Sequence, residues 1–394
     1  MKNKIINIIN ILFISCIFLF IILCFLKSII KPIDILQNEN RYANKYGKIS
    51  LNSYLKGETQ SNIEDTLSDQ ILLSSKLRSA NNIFKAVLLK EYVNIYFDNN
   101  EIDYLSLSNV NFYGKDNLVY NKYNLDNVKN NLNVKINVYN SLIKKYNAVD
   151  FYLYYIERDA DINFNDNTKS GIYEYIISRV ENIKYGKLEI DNFDTFNKYF
   201  LKTDHHWNYE GARKGYEDVL KLLNITTSKM DSGVKCLANN YSGTKSSASV
   251  FNKVMTEKFC IYNFDFDNLK ITINGKEENY GHQEDFILGK TSLPVTYGNV
   301  YGSDDGEIIF ESNDNSKDNI LVIGESYDNA ILKLLAENFN TTVSIDLRNY
   351  KHDMGKDFDF NDYIKKYNIN KVLFIGNVSF FTSGEFLINV EGVD

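Results

Sequence analysis

Proline is almost missing from this 394-residue chain, which has only Pro32 and Pro294. That excludes Pro-rich spacers and collagen-like arrays. Cysteine is nearly as scarce, with four residues and no C-x-x-C or other metal-type spacing, which removes zinc-ribbon and dithiol redox classes. Cys16 and Cys24 lie in an apolar run, leaving Cys236 and Cys260 outside it. A chain of this size needs no staple, so these two read as free, half-buried thiols, with a single disulfide as the alternative outside the cell. No long basic block occurs, and the net charge of −7 with a pI near 5.4 leaves no nucleic-acid footprint. Histidine is limited to four residues, so an adjacent pair stands out. Asn, Lys, Ile and Tyr are abundant, a compositional bias that carries no functional weight.

From Ile5 to Leu26 there is no charged residue. At helical rise this run crosses a bilayer core of about 30 Å. It is too long for a signal-peptide core, and Phe25-Leu26-Lys27-Ser28 offers no small-x-small exit. The expected organisation is a transmembrane anchor over 1–31, a stalk and entry helix over 32–80, and one α/β domain over 81–394. Lys2 and Lys4 balance Lys27 and Lys31, so the positive-inside rule does not orient the anchor; the chemistry expected of the large domain places it outside the cell.

Val93-Asn94-Ile95-Tyr96-Phe97 alternates like a strand and precedes turn residues Asp98-Asn99-Asn100. Helical length follows at 125–146, a strand at 148–156 ending in Glu157-Arg158-Asp159, and a helix at 172–180. Ala212, Tyr216, Val219, Leu220 and Leu223 define one helix face with Asn208 as its N-cap. Residues from about 228 to 318 turn β-rich, as an insertion. Strands at 320–323, 342–345 and 371–375 then alternate with helices, which predicts a mostly parallel sheet with sites at its carboxyl edge.

Two stretches carry chemistry. Thr203-Asp204-His205-His206-Trp207 supplies a carboxylate and imidazoles before a helix, and Gly324-Glu325-Ser326-Tyr327 supplies a hydroxyl at a strand-to-helix turn. A nucleophile, a base and an orienting acid are the parts of a serine acyl-transfer site. Taken alone, Ser326 reads first as a helix N-cap, and Asp204 with the histidines could hold zinc or manganese, although no further ligand stands nearby; no metal and no cofactor is expected. His282 and His352 read as surface residues, with His352 the fallback base.

Thr203 through Ala212 resembles the signature of the DHHW family of bacterial surface proteins. It is similar to the Asp-x-His-Trp signature of alginate O-acetyltransferases, SGNH-like enzymes in which the acid and base precede the serine. The resemblance spans roughly residue 50 to the end and is strongest at 203–212, 320–331 and 343–350. It implies an SGNH-hydrolase-like parallel sheet flanked by helices, with Ser326 as nucleophile, His206 as base and Asp204 as orienting acid. Arg348, Asn377, Tyr327 and Trp207 are implied to bind substrate, with Gly376-Asn377 as an oxyanion block. Glu325 departs from the Gly-Asp-Ser of standard SGNH enzymes.

The activity so implied is O-acetyl transfer to an extracellular polysaccharide or cell-wall glycopolymer, with a membrane-bound O-acyltransferase as acetyl donor. A carbohydrate esterase and a non-catalytic polysaccharide-binding protein are the alternatives. A metal-dependent DHH-type phosphoesterase lacks its Gly-His-rich C-terminal segment in this sequence.

Overall fold

The computed structural model describes residues 2–36, 41–71, 73–99, 104–106, 110–226, 233–249, 251, 255–262, 269–291 and 293–388. Of the turn expected at Asp98-Asn99-Asn100, Asp98 and Asn99 instead end the helix Ser74–Asn99, while Asn100 and the expected start of the insertion near residue 228 lie outside the described residues. Two compact units form, one mainly from Met1–Tyr92 and a larger one mainly from Val93 onward.

The N-terminal unit begins with the helix Lys2–Ile30, whose Ile6–Ile30 segment has a mean hydropathy of 3.0 and is long and apolar enough to cross a membrane. Residues Val93–Phe97, read as a strand, instead end the helix Ser74–Asn99. Ala86, Val93 and Phe97 are its buried positions, spaced seven and four apart on one helical face. Five alternating residues could not separate that face from a strand.

The larger unit is mixed α/β. Eight strands form its main sheet, numbered here in chain order: β1 (Asp150–Ile156), β2 (Lys184–Leu188), β3 (Lys270–Ile273), β4 (Lys276–Glu277), β5 (Glu307–Glu311), β6 (Asn319–Ile323), β7 (Thr341–Ile345) and β8 (Lys371–Asn377). Their order across the sheet is β4-β3-β5-β7-β6-β8-β1-β2. The five strands from β7 to β2 are parallel, whereas β5, β3 and β4 join antiparallel at one edge. The sheet is therefore mixed, and the β-rich segment extends it as well as forming a separate hairpin.

Leu321, Val322, Val372, Leu373 and Phe374 are wholly buried, as continuous apolar runs covered on both faces should be. Helix Leu125–Lys145 covers one face through Leu132, Ile136, Tyr139, Leu142 and Ile143. Asn124 caps it, Asp126 sits in its first turn, and Lys144 and Lys145 complement its carboxyl end. Tyr139 stacks on Phe374 with ring centroids 4.2 Å apart. Truncating Leu142 to alanine would cost about 2–5 kcal/mol. Helix Tyr209–Leu222, capped by Asn208 as expected, buries Ala212, Tyr216, Val219 and Leu220.

Register fixes what emerges where. Ile323 pairs with Ile345 and Phe374, and Asn377 pairs with Ile156, so parallel strands deliver Gly324–Ser326, Asp346–Arg348, Asn377 and Arg158 to the same carboxyl edge.

Candidate active site

Ser326 lies in the turn after β6, three residues before helix Asn329–Ala336, whose N-cap is Asp328. It is therefore not a capping serine. Gly324 is required by close approach: a Cβ there would sit 1.9 Å from Asp328 Oδ2. The turn brings Ser326 Oγ to 2.8 Å from His206 Nε2.

The loop carrying His206 is tightly closed. Leu201 N donates to His206 O at 3.0 Å and Asn208 N to Tyr199 O at 2.8 Å, around a bridge between Phe200 and Trp207. Trp207 fills a slot against helix 209–222, where a Cβ on Gly215 would meet its ring at 2.4 Å. Within the loop, His206 Nδ1 lies 2.7 Å from Asp204 Oδ1. An ionised Asp204 fixes the proton on Nδ1 and leaves the Nε2 lone pair facing the serine hydroxyl.

Asp204 is 1% exposed and fully partnered. Its Oδ2 accepts from the Tyr241 hydroxyl and from Thr244 N at 3.0 Å, and its Oδ1 also accepts from His206 N at 3.1 Å. Burial opposes its ionisation, but the two adjacent imidazoles of His206 and His205 and the hydrogen bonds from His206 and Tyr241 hold its carboxyl well below the usual range. Gly243 packs on it so closely that a Cβ would lie 2.3 Å from Oδ2.

Tyr241 ends one strand of an antiparallel hairpin, Val234–Tyr241 with Glu257–Tyr262. Glu257, paired with Tyr241, accepts from Lys202 N, Thr203 N and Thr203 Oγ1 at 3.0, 2.7 and 2.6 Å. The end of the hairpin thus grips the Asp-His loop. Cys236 and Cys260 face each other in its register and form a disulfide, not the free thiols expected from chain size. Nothing in the spacing of the two cysteines announced that strand pairing would oppose them.

His205 points away from Ser326, sharing a 2.7 Å hydrogen bond with Thr244 Oγ1. Burial first, with the nearby His206 ring and the Arg158 and Lys245 cations adding to it, pushes its imidazole well below the usual value despite the opposing pull of Asp204. Tyr297 stacks on His206 at 3.8 Å, and its hydroxyl accepts from Trp207 Nε1 at 2.9 Å. Tyr327, wholly buried, donates to His205 O. Tyr327 and Trp207 therefore back the imidazoles and present no exposed face of their own.

Behind Tyr327 lies a charged cluster that sequence patterning gave no reason to assemble. Arg158 Nη1 is 3.5 Å from the Tyr327 hydroxyl and its Nε donates to Asp159 Oδ1 at 2.9 Å. Lys245 Nζ lies 2.9 Å from Asp159 Oδ2 as an ion pair, but outside hydrogen-bonding alignment. Burial opposes the Asp159 charge, yet Lys245 and Arg158 lower its carboxyl to about 2.

The other expected substrate contacts are differently placed. Arg348 is held by two carboxylates, with Nε 3.0 Å from Asp346 Oδ1 and Nη2 3.0 Å from Asp304 Oδ2. Asn377 N donates to Glu325 Oε1 at 2.8 Å and its Oδ1 caps Ser379 N, while its Nδ2 makes no hydrogen bond among the described residues. Glu325 is buried, which raises its carboxyl pKa against the opposing effects of Asn377, Arg348 and His206. His282 is exposed, as is His352, which pairs with Asp353 away from the serine.

Asp204, His205 and His206 bring three ligand atoms within 4.8 Å of one another. Asp204 and His206 are already bound to each other, and to Tyr241 and Ser326, so a metal ion would have to compete with the proton relay.

No family model and no curated protein matches the sequence. Solved structures do. Bacillus cereus PatB1 with a sulfonyl adduct is 21% identical, covers 72% of this chain and 100% of its own, and superposes with a TM-score of 0.53. A DHHW family protein from Eubacterium siraeum is 14% identical, with 73% of this chain and 99% of its own covered and a TM-score of 0.58. The fold is therefore similar to that of this DHHW family protein. The O-acetyltransferase domain of Pseudomonas putida AlgJ matches more loosely, at 8% identity over 73% of this chain and 96% of its own and a TM-score of 0.38.

Proposed function

We propose that this protein is a membrane-anchored, extracytoplasmic O-acetyltransferase with an SGNH-like catalytic domain, moving an acetyl group through Ser326 to hydroxyls of an extracellular polysaccharide. The carrying observation is the unbroken relay from Asp204 Oδ1 to His206 Nδ1 at 2.7 Å and from His206 Nε2 to Ser326 Oγ at 2.8 Å. A purely binding protein has no need of that alignment.

In the first half-reaction Ser326 Oγ attacks the acetyl carbonyl and passes its proton to His206 Nε2, while Asp204 stabilises the imidazolium. The tetrahedral oxyanion needs hydrogen-bond donors. The Ser326 and Tyr327 amides and Asn377 Nδ2 make no hydrogen bonds among the described residues and are assigned that role. His206 returns the proton to the departing alcohol, leaving acetyl-Ser326. In the second half a sugar hydroxyl loses its proton to His206 and attacks the ester, and the proton returns to Ser326.

A membrane-bound O-acyltransferase is the proposed donor, reached through the N-terminal anchor. The Cys236–Cys260 disulfide supports an oxidising, extracytoplasmic location.

The test is turnover of 4-nitrophenyl acetate by the full chain in detergent, with intact mass and reaction with a sulfonyl fluoride. Ser326→Ala and His206→Ala should each abolish turnover, and both the acetyl and the sulfonyl adducts should map to Ser326. Equal turnover by wild type and variants, with no adduct, would refute the proposal.

A further inference from the structure

Among the described residues beyond Ile95, only Val134, Tyr185, Val234 and Leu288 are large apolar side chains left exposed. The short stretch 49–55 alone exposes four: Ile49 at 76%, Leu51 at 76%, Tyr54 at 55% and Leu55 at 74%. These residues form a prong around the five-residue helix Leu51–Leu55, which buries none of its own side chains. Exposed Lys48 and Lys56 bracket it.

The N-terminal unit fixes the depth of that prong. Tyr46 packs edge-on to Phe25 with centroids 6.4 Å apart, and its hydroxyl lies 2.9 Å from Ser28 Oγ. A cavity of about 370 Å³ is walled jointly by Phe25 and Ile29 and by Tyr46, Ile49, Ser53 and Ile63. Below it, Gln70 clasps the chain just past the helix, accepting from Ile33 N at 2.6 Å and donating to Ile33 O at 2.9 Å. Residues 46–55 therefore stand beside the last two turns of the apolar Ile6–Ile30 segment. Lys27 and Lys31 mark that level as the boundary between hydrocarbon and headgroups, where lysine heads and tyrosine rings are favoured.

We propose that the 49–55 prong is a second membrane contact, a foot that inserts Leu51 and Leu55 into the lipid interface beside the anchor. The inference rests on reading helix Lys2–Ile30 as a membrane anchor. Its occupant is bilayer lipid because the prong is continuous with the lipid-facing surface of that helix, at the same depth. Tyr46 and Tyr54 supply amphipathic rings, and Lys48 and Lys56 meet anionic headgroups. The foot would restrain how the anchor rotates and tilts as it leaves the bilayer.

The experiment places a tryptophan at one position at a time in the full chain, reconstituted in phosphatidylcholine–phosphatidylglycerol vesicles with or without acyl-chain-brominated lipid. Native Trp207 is buried and is subtracted as a constant background. Bromolipid should quench Leu55→Trp and Leu51→Trp by about twofold or more, as it should Phe20→Trp in the anchor, and leave Leu288→Trp unchanged. Quenching at Phe20→Trp with none at residues 51 and 55 would overturn the foot while leaving the anchor standing. No quenching at Phe20→Trp would remove the anchor reading and the foot together. A blue shift at residue 55 without bromolipid quenching would mean that protein, not lipid, covers the prong, and would also overturn the proposal.

Discussion

Two buried carboxyls near Ser326 have opposite charge preferences. Asp204 is 1% exposed and Asp328 is 3% exposed, so burial alone cannot separate them. Asp204 faces two imidazoles, a tyrosine hydroxyl and backbone amides, and its carboxyl is held well below the usual range. Asp328 is pushed well above it, by burial first and then by Asp346, Glu325 and Asp304, with Arg348 opposing only in part. Its Oδ2 has no hydrogen-bond partner among the described residues. Partners decide the charge of a buried carboxyl. On the histidine side of the serine a fixed anion is stabilised, and on the elbow side neutrality is favoured, keeping a second negative charge away from the proposed oxyanion.

The largest expected effect is on the anion. Asp204→Asn keeps the shape but loses the charge that sets the His206 tautomer, and should lower turnover of 4-nitrophenyl acetate by roughly 10³–10⁴-fold. A loss below tenfold would mean that His206 does not depend on Asp204. Wild type carries the corresponding stability term with a definite sign. Because the folded pKa of Asp204 is depressed, its contribution is present above the unfolded value of about 4 and is lost as pH falls through the folded value.

Next in size is a displacement of the same group. Gly243→Ala places a methyl 2.3 Å from Asp204 Oδ2, so the carboxylate must move. Turnover should fall by about 100-fold, the usual penalty for an ångström of misplacement. Unchanged kcat with an unchanged thermal midpoint would show that the hairpin loop yields and Asp204 does not.

The hairpin can also be loosened from its far end. Reducing Cys236–Cys260, or replacing both with serine, should cost about 2–4 kcal/mol of stability. Turnover should decline as well, because the other end of the hairpin carries Tyr241 and Glu257. A lower melting temperature with full kcat would confine the disulfide to stability.

Much of this arrangement was legible in the sequence, for identifiable reasons. Ile320–Ile323 and Val372–Ile375 are continuous apolar runs within their strands, and the 209–222 helix shows both its face and its cap. The loop and turn that bring Asp204, His206 and Ser326 together each carry a local pattern. Other features depend on contacts between distant segments. Tyr241, Thr244 and Tyr297 reach the Asp-His loop from residues 37 to 90 positions away, with no motif of their own. The cysteine pair likewise depends on hairpin register, and the 93–97 helix end depends on which side chains find a core.

The smallest expected effect tests the neutral side. If Asp328 is protonated in the fold, Asp328→Asn replaces a neutral group with a neutral group of the same shape, and turnover should stay within about threefold of wild type. Its signature lies in stability. A raised folded pKa contributes fully below the unfolded value of about 4 and loses that contribution as pH rises toward the folded value. Wild type should therefore lose thermal stability more steeply than Asp328→Asn as pH rises above about 4, where unfolded carboxyls ionise and this one is held neutral. Parallel melting curves would mean that Asp328 is ionised in the fold. The neutral elbow would then be wrong, and Arg348, held between Asp346 and Asp304, would have to balance a third carboxylate.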